Sequence, residues 1–155
     1  MAMQTEDAFG PAHARQAQRL LDLLHDAVAS APAQQADRLQ EAFCLYTEMR
    51  PAPAGVSVPD PSDFGHFLAS GAHESAAMSL LGQQSGWLLS RSAAGTSMAT
   101  VKLQGYGAES TVEAATPALA LLCAQLACLV EMAQRSSIAS EAPVLVRAPV
   151  ASRLH

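Results

Sequence analysis

Apolar residues recur at three- and four-residue spacing from residue 12 to residue 29. Ala17, Leu20, Leu21, Leu24, Ala27 and Val28 share one stripe, while Arg15, Arg19, Asp22 and Asp26 lie on the other side. That period predicts an amphipathic helix with a solvated charged face. The pattern repeats over 33–49, where Ala36, Leu39, Phe43 and Tyr46 form the stripe and Ala42, Leu45 and Met49 widen it. Pro32 is tolerated in the first turn of such a helix. A connection of only about three or four residues predicts an antiparallel helical hairpin.

The pattern then breaks. RPAPAGVSVPDPSD, residues 50–63, holds four prolines between Pro51 and Pro61. Proline at that density is incompatible with a helix or a central strand, so an exposed, semi-rigid extended spacer is expected. Ser62 is the expected cap of a short helix carrying Phe64, Phe67 and Leu68. Gly71 ends it, and 72–81 reads as a further helix through Ala76, Ala77, Leu80 and Leu81. From 86 to 105 the period falls to two. GWLLSRSAAGTSMATVKLQG reads as two short strands around a turn at Gly95, with Ala99, Val101 and Leu103 on one face and Thr100, Lys102 and Gln104 on the other.

Residues 104–110 read as a loop, followed by the most apolar part of the chain. Two helix starts compete, Ser110 with Glu113 as a capping box and Thr116 with Pro117 as a cap followed by a first-turn proline. The second is preferred, because the first would put Pro117 inside the helix at a cost of roughly 3 kcal/mol. A helix over 117–134, with only Gln125, Glu131 and Gln134 clearly polar, must be covered on most sides. Residues 135–155 are a polar tail that either adds an edge strand or stays loose. The expected organisation is therefore a hairpin over 1–50, a spacer over 51–61, an αββα unit over 62–134 and a tail over 135–155. The fold class is α+β and predominantly helical, with a two-stranded or slightly larger antiparallel sheet.

Composition narrows the function more by exclusion than by pointing. The chain has 155 residues, of which 50% are apolar and 15% charged, and its net charge is -5. Such values are foreign to a disordered chain and to a basic nucleic-acid binder. No basic stripe appears: residues 1–50 hold four bases against seven acids, 51–112 two against four and 113–155 three against three. The 32 alanines favour helix. The first residues lack the basic start of a secretory signal, and 114–130 is short for a membrane span, so a cytoplasmic protein off the membrane is expected. Cys44, Cys123 and Cys128 lack the spacing of a redox or zinc site and read as reduced core thiols.

Tests for chemistry return nothing. His13, His25, His66, His73 and His155 have no metal-ligand spacing, there is no GxSxG elbow, and Gly105 and Gly107 lack the rest of a phosphate-binding loop. No catalytic, cofactor-binding or metal-binding residue is expected, and an enzyme is not. What is left is surface for a protein partner. Trp87, Arg91 and Tyr106 are of the types enriched in binding hot spots. Phe43 and Tyr46 spread over more than one face of their helix, leaving apolar surface for self-association as a homodimer.

The stretches ESAAMSLL, SGWLLSRSAAG, TSMATVKLQG and ESTVEAATPALALLCAQLACL, within 72–134, resemble a family of small phage and prophage proteins with an α/β-sandwich domain. In that pattern a Trp opens the first strand, here Trp87, and an Ala/Leu-rich helix follows an EAATPALAL-like start, here Glu113 to Leu121. The resemblance implies an αββα fold and a phage or mobile-element setting, and it carries no catalytic residue. The expected function is stoichiometric protein binding. Its sharper form is inhibition of a host defence complex in the anti-CRISPR manner, since an acidic protein suits a basic groove. The alternative is a homo-oligomeric assembly subunit or one like a secretion chaperone.

Overall fold

The computed structural model describes residues 9–103 and 109–141; the ends and the 104–108 connection lie outside this description. Helix α1 (Phe9–Val28) leads through a single 3-10 turn (Pro32–Gln34) into α2 (Gln35–Glu48). Two short helices, α3 (Pro61–Ala69) and α4 (His73–Ser79), precede three strands and a long final helix. The strands are β1 (Gly86–Arg91), β2 (Ser97–Lys102) and β3 (Glu109–Ala114), and the helix is α5 (Pro117–Glu141). The class is α+β with a helical N-terminal part, as the periodicities imply.

Helix α5 is apolar all round because it is wrapped. It packs on α1, on β2 and β3, and on α4 and α2. Residues 118–126 are all buried, including Gln125. Its start is the one preferred from sequence: the Thr116 hydroxyl accepts from the Leu119 N–H at 3.1 Å, and Pro117 takes the first helical position. The helix is long and apolar enough over Pro117–Ser136 to cross a membrane, and 67% of its most apolar window is buried inside the fold. It runs seven residues beyond the expected end at Gln134, so the first part of the expected tail is helix; residues 142–155 lie outside the described part.

The sheet is an antiparallel meander in the order β1-β2-β3. Its third strand departs from the sequence reading, which ran 104–110 as loop and went straight into the helix. Glu109, Thr111 and Glu113 point one way, and Ser110, Val112 and Ala114 the other, in register with β2. The pattern is period two, but with one Val and one Ala as its apolar members it is weak. Pairing with β2 decides it: Thr111 and Thr100 hydroxyls meet at 2.8 Å, and the Glu113 carboxylate accepts from the Thr96 hydroxyl.

Two further expectations change. Asp60, not Ser62, caps α3; its Oδ1 accepts from the Ser62 N–H at 2.8 Å, with Pro61 as the first helical residue. The Pro-rich segment is extended as expected, but it is not a free spacer. Ser57 N–H donates to Leu80 O at 3.0 Å, and Gly82 N–H donates to Gly55 O at 2.9 Å. Gly55 has φ +85°, and a Cβ there would lie 2.7 Å from Leu103, so only glycine lets the strap lie against the sheet. Gln125 ties the arrangement together. Its Nε2 donates to Leu80 O at 2.7 Å and to Gly55 O at 3.2 Å, while its Oε1 accepts from the Tyr46 hydroxyl at 2.9 Å.

Those contacts also settle Phe43 and Tyr46. Tyr46 is fully buried in that network, and Phe43 is buried with its ring stacked on Phe64, centroids 4.6 Å apart. One hydrophobic core joins α1, α2, α4, the sheet and α5. The apolar excess of the hairpin is taken up within the chain, by α5 and the short helices. It leaves neither residue as surface for a second copy.

Candidate interaction surface at strand β1

β1 is an edge strand, and every residue of it is exposed. Trp87, Leu89 and Arg91 stand opposite Val101, Ala99 and Ser97 of β2, so they share the face that α5 covers. The cover does not reach them. α5 lies over β2 and β3 and barely touches β1. Trp87 therefore remains 45% exposed and Leu89 38%, while Ala99 and Val101 beside them are buried. Leu88 points to the outer face and is 73% exposed. Three consecutive large apolar side chains line one free edge, in a protein whose other exposed large apolar residues among those described are scattered singly.

Among the described residues, nothing pairs with the backbone of this edge. Ser92 N–H donates to Thr96 O at 2.8 Å across the β1–β2 turn. From that bond the antiparallel alternation assigns Ser90, Leu88 and Gly86 to pairing with β2, and turns the N–H and C=O of Trp87, Leu89 and Arg91 outward. The opposite edge is different. β3 presents Glu109 and Glu113, charges of the kind that blunt an edge against pairing. β1 carries no carboxylate, no proline and no lysine; its one charge is Arg91, at its end.

The structure thus brings Trp87 and Arg91 onto one face, four residues or about 13 Å apart along the strand, with Leu89 between them. Tyr106 lies outside the described residues. Leu88 and Leu89 were not singled out from sequence, although a signal was present: Trp87-Leu88-Leu89 in one strand cannot all face inward, because successive side chains alternate.

Elsewhere the chemistry is thin. Among the described residues no three His, Cys, Asp or Glu side chains come together. Two shallow depressions, about 440 and 340 Å³, lie beside Tyr46–Pro51 and between α1 and α2. Arg19, which lines the second, forms an ion pair with Glu48 that holds the Glu48 carboxyl below its usual range. Burial pushes the Cys123 thiol up to about 12 and raises Cys128 as well, so both are inert; Cys44 is exposed, contrary to the expected core position. No family model, curated protein or solved structure matches the chain.

Proposed function

We propose that this chain acts by stoichiometric protein binding through the free edge of β1, and not by catalysis. The observation that carries this reading is the coincidence, on one strand, of outward backbone donors and acceptors with exposed Trp87, Leu88 and Leu89. Main-chain bonds give a strand-binding site its affinity, and alternate side chains give it selectivity. Trp and Arg at the ends of such a strand are the residue types that dominate binding energy. The resemblance to phage α/β-sandwich proteins supports reading this function in a phage or mobile-element context, and the reduced cysteines support a cytoplasmic one. The net charge of -5 suits a basic target, as an inhibitor of a host defence complex would require.

Affinity capture from host lysate with the wild-type chain and with Leu89→Lys tests this. Any partner recovered should then be purified and titrated against both proteins. The expected result is a one-to-one complex weakened at least tenfold by the substitution, with the unfolding midpoint unchanged. Equal affinity for both proteins places the binding surface elsewhere.

A further inference from the structure

The β1 edge is complementary to itself. Its outward-facing residues, Trp87, Leu89 and Arg91, are symmetric about Leu89 in the chain. Two copies laid antiparallel with a two-fold axis through Leu89 set Leu89 against Leu89, and Trp87 against Arg91 of the other copy, twice. Each of the three residues then both donates and accepts, so every outward N–H and C=O of the strand finds a partner. No other register does this: an axis through Leu88 would set Arg91 against Ser85, which lies outside the strand.

We propose that the partner of this edge is a second copy of the chain, paired β1 to β1 into a continuous six-stranded antiparallel sheet. This rests on the reading of β1 as the binding edge. Charge favours it. The Arg91 guanidinium of each copy lies beside the indole of Trp87 in the other, a cation over a ring face. The two Arg91 residues are about 14 Å apart across the axis, beyond the screening length at physiological salt. β3, with Glu109 and Glu113, would oppose like charges if it paired with itself.

The geometry permits it. A two-fold axis normal to the sheet keeps both α5 helices on the same face. β2 of one copy lies three strand spacings, about 14 Å, from β2 of the other. Helices need only 8–10 Å between axes, so the two α5 helices clear one another, and the gap between them is floored by Trp87 and Leu89 of both copies. The area is modest. Six residues a side bury less than the roughly 800 Å² per partner of a standard interface, which places association in the weaker, concentration-dependent class. Closed two-fold pairing ends with two copies and leaves only the acidic β3 edges outside.

Two measurements test this. In sedimentation velocity across the micromolar range, the wild type should shift from one copy to two as concentration rises. Leu89→Lys, which sets two ammonium groups against each other on the axis, should weaken association at least tenfold with unchanged circular dichroism. The second is a cross-link in a Cys44→Ser background, since Cys44 is the exposed thiol and Cys123 and Cys128 are buried. Hydrogen-bonded antiparallel pairs sit about 5.5 Å apart at Cα, within disulfide reach. Under mild oxidant Leu89→Cys should therefore give a covalent dimer, and Leu88→Cys far less. A wild type that stays monomeric throughout and a Leu89→Cys chain that does not cross-link overturn self-pairing, as does efficient cross-linking of Leu88→Cys alone. The cross-link reports only on a second copy. A foreign strand lost with Leu89→Lys, but no cross-link, would leave the edge as the site and remove this partner from it.

Discussion

β1 and β2 are neighbours in one sheet, of equal length, and their exposure is opposite. β2 carries Ala99 and Val101 as its inner apolar residues, and both are buried. β1 carries Trp87, Leu88 and Leu89, a larger apolar load, and stays exposed along its whole length. The difference does not lie in the strands but in α5, which is seated over β2 and β3. A single helix is about 10 Å wide and two strand spacings are nearly as much, so one helix covers two strands and leaves the third bare. Hydrophobicity prepares a strand for burial; the element above it decides whether burial happens within the chain.

The sharpest way to break this comparison is truncation on either side of it. Leu126→Ala, in the fully buried face of α5, should lower stability by about 2–5 kcal/mol, whereas Leu88→Ala should change it by less than about 0.5 kcal/mol. Urea unfolding midpoints check both, and equal losses would mean that β1 is packed as deeply as β2. Smaller effects are expected where the Pro-rich strap meets the core. Gln125→Ala removes the shared partner of Tyr46, Gly55 and Leu80 and should cost about 1–3 kcal/mol. Amide exchange should speed up at Gly82, whose N–H is held by the strap, before it speeds up in β2.

The buried groups of α2 and α5 sharpen the contrast through pH. The Cys123 thiol goes from 9.0 to about 12 by desolvation, and burial raises the Tyr46 phenol too. A folded state that holds these protons more tightly than the unfolded chain keeps their contribution in full below pH 9 and loses it as pH rises towards 12. Urea midpoints taken on both sides of pH 9 should fall on the alkaline side. The mildest test is chemical: a thiol reagent should modify one cysteine per native chain, Cys44, and three in denaturant. Modification of Cys123 or Cys128 in the native protein would place α5 nearer the surface than described.

Much of this was legible in the residues. The helical stripes gave α1, α2 and α4, and the alternation of Ala99, Val101 and Leu103 gave the buried face of β2. Thr116 and Pro117 marked the start of α5 through local chemistry alone. β3 was not legible, because Glu109, Thr111 and Glu113 equally suit a solvated loop or a helix cap, and only the open side of β2 resolves the choice. Asp60 escaped notice as a cap because Ser62 sits two residues away with the same capping chemistry. The candidate surface was half legible. Trp87 and Arg91 stood out by type, but Leu88 and Leu89 could be placed only once the strand was known to lie at an edge.

What the sequence determined by itself is whatever depends on neighbours along the chain. Helical period, strand alternation, proline punctuation and the cap at Thr116 act over a few residues and need no partner at a distance. Tertiary structure decided what depends on coverage. The proline-rich segment looked like a linker because proline forbids regular structure, yet Gly55, Ser57 and the buried amide of Gln125 bind it down across 70 residues of sequence. Phe43 and Tyr46 looked like surplus apolar surface because one helix cannot show what packs on its flanks, and Phe64 and Gln125 come from elsewhere to cover them. β1, whose Trp87 and Arg91 were expected as surface by residue type, lies open along its whole length because a helix of fixed width left it uncovered.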